Sequence, residues 1–286
     1  TFSSTCMILF STLKSSVFYY PTDYSTGFLI VGDFFRKYAY AVWYTVVISW
    51  KTDGFRKCKY SLFRTNFFRK DFSSMKAYER LLSYVKIFTP SNEESTSSPS
   101  SRCQFDLARL LVEELKGLGI SDVTLDDHCY VYAHLPATEG LEHCKALGFI
   151  AHMDTVSDFC DHAVTPVITE NYDGKDLPLG TSGRTLSPEM FSHLTSLAGR
   201  TLITSDGTTI LGADDKAGIA EILTALEHIL TEKIPHGPLC VAFTPDEEIG
   251  MGPAHFDVKK FGADYAYTLD GDTEGEIQYE NFNACS

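Results

Sequence analysis

The chain has 286 residues, enough for one large domain or two modest ones, and enough to bury a core without disulfide or metal staples. Its 24 Lys and Arg stand against 38 Asp and Glu, a formal net charge of −14, which argues against nonspecific binding to nucleic acid or to an anionic membrane. An apolar content of 44% argues against global disorder.

The average hides two unlike stretches. Residues 1–74 carry ten Lys and Arg, four Asp and no Glu, leaving 14 basic and 34 acidic residues to 75–286. The first stretch also holds 11 of the 20 Phe and 7 of the 15 Tyr. Its longest apolar run, Tyr38 to Trp50, has 13 residues, whereas a membrane-spanning helix needs about 20. It shows no secretory signal pattern. The Val, Ile, Tyr and Trp content of 42–50 suits a strand. Residues 1–74 therefore read as an atypical extension outside the working fold, poorly ordered or loosely docked, with Met75 where an ordinary start would sit.

From Met75 the pattern is regular. Tyr78, Leu81, Leu82 and Val85 share a helical face, predicting a helix over 75–87. Residues 89–101, TPSNEESTSSPSS, read as a polar loop. Leu107, Leu110, Leu111, Leu115 and Leu118 predict a second helix, with Gly117 and Gly119 at its C-terminal cap. Strands are expected at 122–126, 130–135 and 147–151. The last, LGFIA, is apolar throughout, as a strand covered on both faces would be. Ser187-Pro188-Glu189 is expected to open a helix, and 201–204 to form a strand. A long helix should run over 215–230 with Ile219, Ile222, Leu223, Leu226, Ile229 and Leu230 inward. Buried strands follow at 239–243 and 265–269. The alternation predicts an α/β fold, a mostly parallel sheet flanked by helices.

Three of these apolar strands run into histidine or acidic residues. LGFIA leads to His152-Met153-Asp154, LCVAF to Thr244-Pro245-Asp246-Glu247-Glu248, and YAYTL to Asp270. A further pair, Asp214-Asp215, precedes the long helix. Ligands of open α/β sheets bind beyond the carboxyl ends of the strands, so the four segments are expected to converge at one edge. Each has an ordinary alternative: a hydrogen-bonded histidine, a helix N-cap, a solvated pair of glutamates, a turn cap. Their joint occurrence in this order is what singles them out. Such a cluster repels itself without a counter-charge. A pair of divalent ions would supply it, and histidine with carboxylates suits zinc, with cobalt or manganese as alternatives. None of the eight Cys forms a C-x-x-C pair, which argues against a structural cysteine–zinc site. Scattered cysteines fit a reducing, cytoplasmic setting.

GFIAHMDT (148–155), SDGTTILGADDKAGIAEI (205–222), VAFTPDEEIG (241–250) and YENFNA (279–284) carry a resemblance. On them, residues 75–284 resemble the N-terminal half of the peptidase T group, the tripeptide aminopeptidases among the dinuclear-zinc M20 metallopeptidases. The resemblance implies that 75–286 is the N-terminal part of a zinc-peptidase catalytic domain holding two Zn2+ per subunit and acting on small peptides. It implies that His152 and Asp270 are ligands of the first zinc, Glu248 of the second, and Asp214 of both, with a cis peptide bond to Asp215. Asp154 would orient His152, and Glu247 would be the general base.

The family's second-zinc histidine lies downstream, after a lid domain through which the enzymes dimerise, and the sequence stops at Ser286 before either. Cys129 stands near a usual glycine and Met251 near a usual basic residue, and Pro253 and the closing Cys285-Ser286 are also unusual. Two functional expectations follow. One is tripeptide aminopeptidase activity, with a related M20 dipeptidase or deacylase as a variant. The other is a noncatalytic, metal-binding fragment, an incomplete copy of the enzyme.

Overall fold

The computed structural model describes residues 75–271 and, within the first 74 residues, the backbone of four strands. The chain divides into two compact units, residues 8–73 with 271–286 and residues 74–270 with 1–7. In the first, β1 (Ser15–Thr22), β2 (Thr26–Phe35), β3 (Val42–Lys51) and β4 (Lys59–Arg64) form an antiparallel meander in chain order. The strand expected over 42–50 is β3. How the extension docks, the YENFNA segment and Cys285-Ser286 lie outside the described residues.

The second unit begins with helix α1 (Ala77–Tyr84) and helix α2 (Gln104–Gly117). Their buried faces match expectation in part, Val85 being buried at the end of α1. In α1 the buried positions are Arg80 and Tyr84, while Tyr78 is exposed. A charged residue takes the inner face because its partners come from other helices. Arg80 Nε lies 2.6 Å from Glu114 Oε1, and Nη2 lies 2.6 Å from Glu227 Oε2. Nη1 donates to Thr224 Oγ1 and to the Met75 carbonyl. In α2, Leu107, Leu111 and Leu115 are buried with Ala108 and Val112, and Leu110 is exposed. Gly119 takes φ 90° just past the helix end, as a C-terminal cap requires.

The central sheet follows from the apolar runs. Strands β5 (Asp122–Leu125), β6 (Val131–Leu135) and β7 (Leu147–His152) come first. A peripheral segment then contributes β8 (Pro166–Thr169), β9 (Leu177–Pro178), β10 (Thr185–Leu186) and β11 (Leu202–Ser205), pairing antiparallel as β8 with β11 and β9 with β10. Next come helix α3 (Lys216–Glu232), strand β12 (Leu239–Thr244), the short α4 (Val258–Phe261) and strand β13 (Tyr265–Thr268). The sheet order is β13-β7-β12-β6-β5. β13, β7 and β12 are mutually parallel and carry the site, while β6 and β5 add an antiparallel flank.

One sheet face carries Tyr132, Cys240, Ala242, Ile150 and Ala266, clustered with Phe256 and Phe261. Small residues here make room for large ones. A Cβ on Gly148 would lie 2.5 Å from the Phe261 ring. Strand alternation puts Phe149, Ala151, Val241 and Phe243 on the opposite face. α3 follows its predicted periodicity: Ile219, Ile222, Leu223 and Leu226 are buried, and Ile229 and Leu230 half-buried.

The helix expected from Ser187-Pro188-Glu189 does not form. Residues 188–190 make a turn closed on the Ser187 carbonyl, and a 3₁₀ helix follows at Ser192–Leu197. There the Thr195 and Ser196 hydroxyls donate to carbonyls three residues back, a local alternative that competes with α-helix. Met190 and Phe191 are exposed, so little burial is available to favour a longer helix.

Candidate metal centre

Parallel pairing brings the ends of β7, β12 and β13 to one edge. Thr244 pairs with His152 in register, and Leu269 N donates to the Ile150 carbonyl, bringing Asp270 alongside. Asp214 arrives from the turn before α3. His152 Nε2 lies 3.0 Å from Asp214 Oδ1, 3.6 Å from Glu247 Oε2 and 3.9 Å from Asp270 Oδ2. Atoms of His152, Asp214 and Glu248 lie within 4.8 Å of one another, as do atoms of His152, Asp215 and Asp270. The histidine is buried, whereas the Asp214 and Glu247 side chains are 70% and 51% exposed, so the cluster is sealed beneath and open above.

The Asp-Asp pair divides the two readings that the sequence left open. Asp215 caps α3: its Oδ1 accepts from Gly218 N at 3.1 Å and its Oδ2 from His152 N at 3.2 Å. Asp214 turns outward into the cluster. The bond between them is cis.

Asp154 is fully buried and does more than orient a ring. The His152 Nδ1 edge faces the Asp154 carbonyl at 3.1 Å and its carboxylate at 3.4 Å. The same carboxylate accepts Glu247 N at 3.0 Å through Oδ1 and Glu248 N at 3.1 Å through Oδ2. It therefore fixes the histidine and the backbone of both glutamates. Glu248 Oε1 also accepts Val156 N at 3.2 Å.

The charge balance is uneven. Every ion pair that Asp214, Glu247 and Asp270 make among the described residues is to His152. Burial opposes a proton on His152, but its hydrogen bonds to Asp154 and Asp214 and the charges of Asp215 and Asp154 outweigh it, pushing the imidazole up to about 11. The hydrogen bond with His152 holds Asp214 below its ordinary value. Burial, then the charges of Asp214 and Glu247, push Asp270 up to about 6. Burial likewise raises Glu248, and lifts Asp215 well above the usual carboxylate range. Several carboxylates facing one imidazole lack positive charge, and the donor set, one nitrogen and several carboxylate oxygens, fits divalent cations.

Two features were not singled out in the sequence. Asp246 is buried with φ 57°, and it is held by Ser100 and Gln104. Lys216, also buried, donates to the Ile87 carbonyl at 2.8 Å, and burial lowers its amine to about 8. Of the unusual positions, Cys129 sits in the β5–β6 turn at φ 73°, a conformation glycine adopts freely. Met251 and Pro253 are exposed.

Comparisons with known proteins show what the chain is similar to. Residues 206–279 match the family described as Peptidase family M20/M25/M40, a stretch that includes Asp214, Glu247, Glu248 and Asp270. This segment of the chain is thus similar to M20 peptidases. Within that type the similarity is to peptidase T. The chain is 54% identical over 209 residues to peptidase T of Alkaliphilus oremlandii, covering 72% of this chain and 51% of the relative. It is 53% identical over 212 residues to peptidase T of Clostridium perfringens, covering 74% and 52%. The chain spans about half the length of the curated relatives it matches. Among solved structures, the aminopeptidase PepT from Bacillus cereus aligns with TM-score 0.49 at 25% identity, over 69% of this chain and 43% of that one. No helix among the described residues is long and apolar enough to cross a membrane.

Proposed function

We propose that this segment is the metal-holding half of a tripeptide aminopeptidase that hydrolyses the N-terminal peptide bond of small peptides. The observation that supports it is the convergence of His152, Asp214, Glu247, Glu248 and Asp270 at the shared edge of three parallel strands. His152 and Asp270 would hold one zinc ion, Glu248 the other, and Asp214 both, with cobalt or manganese as substitutes. Bound there, the ions would supply Lewis acidity and a water of lowered pKa.

The chain's residues supply the rest. Asp154 fixes the imidazole from behind so that Nε2 faces the cluster. Glu247, half-exposed and held by its backbone on Asp154, takes a proton from the attacking water and delivers it to the leaving amine. Glu248 and Glu247 are neighbours with different surroundings, which lets one bind a cation while the other carries protons. A cytoplasmic setting and dimerisation through a lid domain belong to the same proposal.

The test is hydrolysis of tripeptides, dipeptides and acylated amino acids with zinc, cobalt or manganese added. Tripeptide cleavage supports the reading, and preference for another class replaces it with a related M20 activity. In a chain that turns over, Glu247→Gln should retain its metal and lose roughly 10²–10⁴-fold in kcat. An unchanged kcat would remove Glu247 from the role of base.

A second reading rests on the matched span, half that of the curated relatives. In it the 286 residues bind metal and do not turn over. Tripeptide cleavage by the purified chain at rates near those of full-length relatives refutes it.

A further inference from the structure

The segment joining β12 to the two glutamates contains a third carboxylate that faces away from the cluster. Asp246 is 2% exposed, and its partner Gln104 is fully buried. Asp246 Oδ1 accepts from Ser100 Oγ at 2.5 Å and from Gln104 Nε2 at 2.7 Å, and Oδ2 accepts from Ser100 N at 2.7 Å. In return Gln104 Oε1 accepts Asp246 N at 3.3 Å. Backbone and side chain of one residue are thus gripped by a neutral donor–acceptor set from the start of α2 and the loop before it. At φ 57°, Asp246 lies in the left-handed region, uncommon for a residue with a β-carbon although aspartate enters it more readily than most.

The grip is anchored. Ser100 Oγ also accepts Asn92 N at 2.8 Å. Ser91 N donates to the Thr155 carbonyl, and Thr155 N to the Thr89 carbonyl, so residues 89–104 are fastened beside Asp154. Asp154 in turn accepts the amides of Glu247 and Glu248. Three consecutive residues, 246 to 248, are therefore clamped from two sides by two buried carboxylates.

We propose that Asp246 is a positioning residue for the metal centre: locked to Ser100 and Gln104, it sets the turn that aims Glu248 at a cation and Glu247 at the reacting water. This rests on the metal-binding reading above. An asparagine at 246 has nearly the same shape but presents an NH₂ to donors on either side, Ser100 N–H or the Gln104 amide. Changing Gln104 to glutamate removes the conflict by supplying an acceptor.

The experiment titrates the 286-residue protein with Co2+, followed by visible absorption, alongside far-UV circular dichroism. Asp246→Asn should stay folded and bind Co2+ about 10–100-fold more weakly. The double variant Asp246→Asn with Gln104→Glu should recover most of that loss, which a purely destabilising change would not do. Ser100→Ala, the milder change, should weaken binding in the same direction by less, and it carries the test if Asp246→Asn does not fold. Wild-type affinity in folded Asp246→Asn or Ser100→Ala, or no recovery in the double variant, overturns the proposal while leaving the metal centre in place. Absence of Co2+ binding by the unaltered chain overturns the metal reading itself, and the positioning role with it.

Discussion

At the residue scale, single atoms decide whether the site can exist. Gly218 lies in the first turn of α3, where an added Cβ would meet the Leu269 carbonyl oxygen and Asp215 Oδ1. Neither can move cheaply: one is backbone beside Asp270, and the other caps α3 while accepting the His152 amide. Alanine ordinarily favours a helix over glycine by about 0.5–1 kcal/mol. Overpacking of about 1–3 kcal/mol should win here. Gly218→Ala is expected to lower the chemical denaturation midpoint and to weaken metal binding by displacing Asp270. A gain in stability with unchanged affinity would contradict that packing. Glycine spacing in GADDKAG gives no hint of this contact, because the clashing carbonyl comes from Leu269, just past a strand far along the chain.

At the element scale, apolar patterning located most strands and α3, because residues 147–151, 239–243 and 265–269 are largely apolar runs followed by histidine or polar groups. It failed where polar groups do structural work. α1 reads as a Tyr/Leu amphipath, yet Arg80 occupies its buried face through carboxylates on α2 and α3. Arg80→Met should therefore destabilise by about 2–4 kcal/mol, somewhat below the usual cost of breaking a buried pair, since both glutamates keep partial access to water. Adding Glu114→Gln and Glu227→Gln should recover part of it; urea denaturation of the single and triple variants measures both. The Ser/Pro-rich stretch at 89–101 looked like a solvated loop, and Ser100 and Gln104 gave no local sign that they hold Asp246. Three of the four segments were legible as strand ends, and the fourth as the approach to α3. Which aspartate of the 214–215 pair faces the cluster followed only from resemblance, and the structure gives the cap to Asp215.

At the scale of the whole molecule, the cluster ties α3 to three strands through groups that repel one another when no cation is bound. Metal should thus stabilise the entire unit. At a free concentration about 100 times Kd, a single site contributes roughly 2.7 kcal/mol, raising Tm by about 5–10 °C for a unit of this size. Calorimetry with added Zn2+, reversed by a chelator, measures it. Asp214→Asn combined with Asp270→Asn should abolish the shift, while in the metal-free protein the loss of the Asp214–His152 pair offsets the relief of removing the disfavoured Asp270 charge. A shift that persists in that variant would place the ion elsewhere.

The order in which the four segments occur along the chain has a consequence for biosynthesis. The proposed donors emerge from the ribosome as His152, then Asp214, then Glu248, and last Asp270, just past the edge strand β13. A nascent chain halted before residue 270 presents an incomplete set of ligands, however much of its sheet has already formed. On the proposed ligand roles, the cation held by His152 and Asp270 is captured in full only once translation has passed that aspartate, whereas the group of His152, Asp214 and Glu248 is already complete.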